Sequence, residues 1–389
     1  MTSVNRAETF FESGPFPHVQ KSLGLFRPIG FNTSARATVS ILIGWFPLVV
    51  LVLAEDLNGQ ASFLSFVTDF GVHARSLIAA PLFIICEAIC LQRLEAVAIH
   101  FVRSGIIKER DRPFFKSLAS STRAMMKSTL IEIAAMVLTY TLVLMGIRYV
   151  TVLGVRPWFL ARGNEVTMSW AGWWYALVSL PLLLMLFFGW LWRVILWSRF
   201  LIKVSRLKLS LIAAHPDRAS GLKFLNSSLF AFMPVAFTFG VIAAGSAANR
   251  VAYQGMTLDA MEKTAGGLVV FVLLLFVGPL LVFTYKLQRQ KVAGIFSYGA
   301  LAENVGRQFE HKWLENYDKY SAGALEATDF SATTDLYGVV ANVHEMKNEP
   351  FDLVGLVSLA VTTLLPFIPV LLMTMPIKQI LQEAMKLLV

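Results

Sequence analysis

The sequence has few charged residues and almost no cysteine. Only 15% of its 389 residues are charged and 56% are hydrophobic, whereas about 25% charged residues are usual in soluble domains. This composition excludes a disordered chain and a soluble coiled coil, and it predicts a membrane protein. The two cysteines, Cys86 and Cys90, lie in one apolar segment. Neither a disulfide framework nor a thiolate zinc site is therefore expected.

The motifs of familiar enzymes are also missing. The sequence has no Walker A, GxGxxG, GxSxG, HExxH or paired-cysteine pattern, and its histidines do not fall at metal-ligand spacing. We therefore expect no enzyme, no metal site and no cofactor. A net charge of +9 would favour nucleic acid as the partner of a soluble chain. In a membrane protein it indicates basic loops and attraction to anionic lipid headgroups, so no nucleic-acid partner is expected.

Long apolar segments dominate the chain. A spanning helix needs about 20 mostly apolar residues. Six segments meet this requirement, at residues 38–54, 76–94, 128–147, 173–196, 227–248 and 267–285. A seventh, 353–375, contains Pro366 and Pro369 and either crosses the membrane or re-enters it. The predicted fold class is all-α, a polytopic membrane helix bundle with six or seven transmembrane helices and a small helical cytoplasmic segment.

Lysine and arginine are distributed unevenly between these segments. Loops 55–75, 148–171 and 249–266 together hold six of them, whereas segments 1–37, 92–127, 193–225 and 286–351 hold 26. Basic residues concentrate on the cytoplasmic side of membrane proteins. The N-terminus is therefore predicted to be cytoplasmic.

Five regions follow from this topology. They are a cytoplasmic or interfacial segment (1–37), a six-helix bundle (38–285) with basic loops 92–127 and 193–225, a cytoplasmic helical segment (286–352), the seventh apolar segment (353–375) and an amphipathic C-terminal helix (376–389). Segment 286–352 carries 7 positive and 10 negative residues. It is predicted to dock on the basic loops, unless those loops bind lipid headgroups.

Two carboxylates lie inside predicted spans. Glu87 lies six residues before Arg93 and Glu132 five residues after Lys127, so both fall in the cytoplasmic half of their spans. Arg193 ends the fourth span at the same side. Buried carboxylates in membranes face protein or water and find a partner. These three residues are candidates for an ion or proton pathway. The alternative is a structural ion pair between Glu87 and Arg193, or a glutamate held neutral by burial.

The cytoplasmic end carries further candidates. The fourth helix is predicted to continue past the membrane to residue 211, with Arg199, Lys203 and Arg206 as a basic stripe for lipid headgroups. The second is predicted to continue towards residue 107. A turn follows at His215, Asp217 and Arg218. Asp217 suits a cap for the next helix, and the three side chains together also suit a phosphate.

The segment His-Pro-Asp-Arg-Ala-Ser-Gly-Leu-Lys-Phe-Leu at 215–225 has the pattern HPDxxxGLxFL. Together with Glu-Pro-Phe-Asp-Leu at 349–353 and the proline-broken apolar segment that follows, it resembles an uncharacterised family of bacterial multi-pass inner-membrane proteins. The resemblance implies a bacterial inner membrane and adds nothing about a substrate.

Two functional hypotheses fit these features. The first is a homo-oligomeric channel or transporter for an ion or small solute, with its path near Glu87, Glu132 and Arg193. The second is a membrane scaffold or sensor that presents residues 286–352 to a cytoplasmic protein partner.

The topology is directly testable. A reporter fused after Lys291 should report a cytoplasmic position, because segments rich in lysine and arginine stay on that side. A fusion after Arg250, in a predicted periplasmic loop, is the matched control. A periplasmic signal from the Lys291 fusion would contradict the predicted orientation.

Overall fold

The structure is a computed structural model that describes residues 33–59, 63–152, 158–160, 167–315 and 328–374. Within these ranges the β pairing is limited to one isolated bridge between Leu160 and Met168. The predicted all-α class is therefore confirmed. The first 32 residues of the predicted N-terminal segment and the predicted C-terminal helix, 376–389, lie outside the described residues.

The six predicted spans and the seventh apolar segment are all helical, and most of these helices are longer than predicted. Numbered in chain order, they are α1 (Thr33–Leu57), α2 (Phe70–Arg103), α3 (Arg112–Met126), α4 (Thr129–Tyr149), α5 (Trp170–Ser205), α6 (Lys223–Gln254), α7 (Leu258–Trp313), α8 (Thr328–His344) and α9 (Leu353–Thr374). All except α3 and α8 are long and apolar enough to cross a membrane. We call the end where α2 and α5 finish and α6 and α9 begin the basic end.

Helix α6 forms the centre of the bundle. Of its most apolar stretch 67% is buried, the largest share among the seven helices. It packs along α2, α7 and α9. In this core Phe232 stacks on Phe276 of α7 with ring centroids 4.6 Å apart. Gly240 lets α9 approach closely, because a Cβ there would overlap the carbonyl oxygen of Thr363.

Prolines cause most irregularities in the helices. A proline has no N–H, so the carbonyl four residues earlier loses its helical donor. At three of these prolines a side chain from another helix donates to the freed carbonyl. Trp174 Nε1 donates to the Ile43 carbonyl, which Pro47 frees, at 3.1 Å. Tyr140 Oη donates to the Leu177 carbonyl, which Pro181 frees, at 3.1 Å. Arg93 Nη1 donates to the Phe230 carbonyl, which Pro234 frees, at 3.2 Å. These bonds connect α5 to α1, α4 to α5, and α2 to α6.

One predicted helical extension is too long and the other is confirmed. Helix α5 ends at Ser205 and not at residue 211. The carbonyls of Leu207 and Leu211 instead accept hydrogen bonds from Lys286 and Gln290 of α7, which holds the chain out of a helix. Helix α2 does continue past Arg93 towards Ile107 and ends at Arg103, because Gly105 takes a left-handed conformation with φ 73°.

Helix α7 continues past its apolar part without a break between its helical pieces. Its outer part forms a hairpin with α8. The hairpin docks on segment 206–222, where Gly294 lies against Ala213 and Arg218 pairs with Glu345 at 2.7 Å. Segment 286–352 therefore packs on one of the two basic segments, mainly through backbone and apolar contacts, with one exposed ion pair.

Helix α9 runs beside α6 from one end of the bundle to the other. It bends at Pro366 through a short 3₁₀ turn, Leu365–Phe367, and continues in the same direction. Beyond the bend, Phe367 and Val370 pack against Ala248 near the end of α6 and Met261 near the start of α7. This course along α6 favours the crossing alternative, which stays a prediction.

Close packing at Gly240 can be tested by adding a methyl group. We expect Gly240→Ala to lower the free energy of unfolding by about 1–3 kcal/mol, because α6 and α9 must separate to admit it. Gly266→Ala in α7 is the control, since nothing lies within 4 Å of the added Cβ. Thermal unfolding in detergent measures both. Equal stability of the two variants would contradict the close approach.

Candidate functional site

Three charged side chains meet inside the bundle. Glu87 of α2 accepts from Arg193 of α5 at 2.5 Å and from Arg36 of α1 at 3.0 Å. Their exposed fractions are 5%, 3% and 8%, respectively. We call these three residues the charge cluster. The sequence predicted the pairing of Glu87 with Arg193 but not the participation of Arg36.

The charge cluster has more positive charge than negative. Two guanidinium groups share the single carboxylate of Glu87. Arg193 Cζ also lies 4.9 Å from the centre of the Trp190 ring, a cation–π contact. The Nε and Nη1 atoms of Arg193 have no hydrogen-bond partner among the described residues. Because a buried guanidinium donor is costly to leave unpaired, the cluster has the chemistry to accept an anion.

The helices that supply Glu87 and Arg193 share an unusual local structure. Each contains a π-helical segment followed closely by a proline, Ala74–Ala79 before Pro81 and Tyr175–Ser179 before Pro181. The missing proline N–H favours this change of hydrogen-bond register. The π segments offset each helix just before the portion that carries its charged residue.

Glu132 lies on α4, a helix that contributes no residue to the charge cluster. It is buried in the first turn of α4, which packs mainly on α5. The structure therefore joins Glu87 to Arg193 but places the second carboxylate on a helix of its own. Its participation in a pathway stays a prediction.

The predicted basic stripe is only partly exposed. Arg199 is half-buried in α5 and donates to Ser121 of α3 at 3.1 Å. Lys203 lies in the last turn of α5, and Arg206 caps the helix end and is exposed. Arg199 therefore joins α3 to α5, and the lipid role of the stripe stays a prediction.

Asp217 organises the turn that precedes α6. Its carboxylate accepts from the backbone N–H groups of Ala219, Gly221 and Lys223 at 2.9–3.1 Å. His215 Nδ1 lies 2.8 Å away. Burial alone would raise the pKa of the Asp217 carboxyl, but these donors together outweigh it and the pKa is lowered. The turn contains two non-glycine residues of positive φ, Arg218 and Ser220, so this bonding also offsets backbone strain.

A pocket of about 540 Å³, with several polar side chains in its walls, opens beside this turn. Its walls come from the end of α2, segment 206–222 and the start of α6, and they include His100, Ser104, His215 and Lys223. We call it the basic-end pocket. The sequence predicted the turn itself, but not the contribution of His100, which lies more than 100 residues earlier in the chain.

The turn before α6 contacts the segment that leads into α9. The backbone N–H of Lys347 donates to the Arg218 carbonyl at 2.8 Å. Asn226, at the start of α6, donates to Asp352 at 2.9 Å, and Asp352 caps α9 by accepting from the Gly355 N–H. The turn therefore fixes where α6 and α9 both begin.

A second polar cluster lies at the opposite end of the bundle and was missed from the sequence. Asp69 accepts from Asn249 at 2.7 Å and from Trp158 at 2.8 Å. Glu55 accepts from the Trp170 N–H at the start of α5. These contacts join residues up to 180 positions apart, which no local pattern reveals.

The fold defines the class of protein. The described residues include seven helices that are long and apolar enough to span a bilayer, which is the architecture of a multi-pass membrane protein. No family model, no curated protein and no solved structure matches the chain.

The turn at Asp217 generates a prediction about pH. Asp217→Asn should lower the free energy of unfolding by about 1–3 kcal/mol at neutral pH, because a charge-assisted set of bonds is lost. The folded-state pKa lies below the ordinary value of 3.8. The stabilisation is therefore present above pH 3.8 and is lost as the pH falls through the folded pKa.

Unfolding in denaturant between pH 3 and pH 7 measures this difference. The difference between the wild type and the Asn variant should shrink as the pH falls below 3.8. A constant difference over the whole range would contradict a role for the ionised carboxylate.

Proposed function

We propose that the protein is a homo-oligomeric transporter or channel for an ion or small solute, and that the species it carries is an anion. The charge cluster is the observation that supports this proposal. A membrane interior disfavours a buried charged group whose donors have no partner, so the guanidinium of Arg193 favours a mobile anionic partner. Arg193 supplies unused donors for it.

Within this proposal each member of the cluster has a role. Arg193 binds the anion, and Glu87 holds Arg193 in place through the bond at 2.5 Å. Arg36 balances Glu87, so the anion does not compete with a lone carboxylate. Glu132 is the further pathway candidate from the sequence.

The burial of Arg193 favours a transporter over a permanently open channel. At 3% exposure its guanidinium is closed to water, so an anion reaches it after helices move. Helices α2 and α5 contain the π segments, and such segments are frequent at functional sites. Movement of these two helices against each other would open access to the cluster.

The proposal also includes which membrane contains the protein and which end of the bundle lies in the cytoplasm. The bacterial inner membrane is inferred from the resemblance of segments 215–225 and 349–353. The bias of lysine and arginine places the basic end in the cytoplasm.

The alternative is a scaffold or sensor, and one observation favours it. On the outer part of α7, Tyr285, Val292 and Phe296 are 72%, 49% and 75% exposed. At spacings of seven and four they share one helix face. Exposed apolar faces are typical of protein-binding surfaces.

Flux measurements separate the two functions. Protein reconstituted in liposomes should admit a chloride probe faster than empty liposomes do, and Arg193→Gln should lower that flux at least about tenfold. The variant keeps the Arg36–Glu87 pair, so no buried charge is left unpaired and folding should survive.

Arg289→Gln removes an equal charge from an exposed position of α7 and is the matched control. Its flux should equal that of the wild type. Absence of flux in the wild type, for chloride and for larger anions alike, would contradict transport and favour the scaffold. Flux that Arg193→Gln leaves unchanged would exclude the cluster from the path.

A further inference from the structure

A groove between α2 and α6 opens toward the basic end. Its volume is about 410 Å³, and it shares His100, Phe224 and Ser227 with the basic-end pocket. We propose that groove and pocket together bind one anionic phospholipid whose headgroup carries hydroxyl groups. This site is separate from the charge cluster and does not depend on the proposed transport.

The spacing of residues on α2 makes one wall of the groove. Arg93, Val97 and His100 recur at intervals of four and three and so share a helix face. Arg93 lies six residues after Glu87, about 9 Å further along the helix. The groove therefore begins where the apolar part of α2 ends, at the level expected for lipid phosphates.

Charge in the two cavities favours an anion. Arg93 and Lys223 are cationic, and both side chains are exposed. One donor of Arg93 is used by the Phe230 carbonyl, and a guanidinium has five. The only carboxylate among the lining residues, Asp217, is taken up by three backbone N–H groups and His215.

The apolar lining distinguishes a lipid from a free phosphate ion. Between Arg93 and His100 the groove is lined by Ala96, Val97 and Phe230, which offer nothing to a small ion. They suit the glycerol backbone and the first carbons of an acyl chain. Hydrophobic contact with such a chain adds affinity that an ion cannot gain.

The basic-end pocket explains the preference for hydroxyl groups. It is lined by the hydroxyls of Ser104, Ser210 and Ser227, together with the His215 ring. Groups that both donate and accept hydrogen bonds match a glycerol or sugar headgroup. A choline headgroup has no hydroxyl to offer and carries a positive charge beside Lys223.

Lipid titration tests the site. Delipidated full-length protein in detergent is titrated with short-chain phosphatidylglycerol and, separately, with phosphatidylcholine of the same chain length, and bound lipid is counted by native mass spectrometry. We expect phosphatidylglycerol to bind at least about tenfold more tightly. Equal affinity for the two lipids would overturn the proposal.

Variants locate the binding. Ala96→Trp fills the groove without changing charge, and Lys223→Gln removes a cation from the pocket; each should weaken phosphatidylglycerol binding at least about tenfold. Arg103→Gln removes an exposed cation from the same helix outside the lining and should have no effect. An equal loss with Arg103→Gln would show diffuse attraction and contradict a built site.

Competition separates the two sources of phosphate. Glycerol phosphate at the concentration that saturates phosphatidylglycerol should not displace the lipid. Displacement at equal concentration would show a site for a small soluble phosphate and would overturn the lipid assignment.

Discussion

Every backbone carbonyl inside a bilayer needs a hydrogen-bond donor from the protein, because no water is present to supply one. A proline removes one such donor from its own helix, and at three prolines of this protein a side chain from a neighbouring helix replaces it. At Pro234 the freed carbonyl of Phe230 is taken by Arg93 of α2. Two further prolines are treated in the same way by Trp174 and Tyr140. The hydrogen bonds at these three prolines therefore join neighbouring helices. Treating each proline only as a flexible hinge would overlook these bonds.

The charge cluster follows from the same constraint applied to side chains. Glu87 is stable in the interior because two guanidinium groups surround it. Removing Glu87 would take away the acceptor that Arg36 and Arg193 share, whereas removing Arg193 leaves the Arg36–Glu87 pair intact. The two arginines therefore differ: Arg36 pairs with Glu87, and Arg193 has two further donor atoms without a hydrogen-bond partner among the described residues. This difference supports the proposed binding of an anion at Arg193.

Sequence reasoning recovered the spans because the length of an apolar run is a local property that the bilayer thickness fixes. It failed at the end of α5, where the helical pattern continues to residue 211 but α7 competes for the carbonyls of Leu207 and Leu211. It also missed Arg36 and the contact of Asp69 with Asn249. Those partners depend on which helices pack side by side. No short pattern in a single sequence indicates that packing.

Arg93 connects the interior to the basic end. It donates to α6 at the carbonyl that Pro234 frees, and it also lines the groove. Only six residues separate it from Glu87 on the same helix, about 9 Å along the helix axis. The bond from Arg93 to the Phe230 carbonyl therefore fixes α2 against α6 close to the helical turn that carries Glu87. Because a guanidinium has five N–H donors, the same side chain can make this bond and still contact a ligand in the groove.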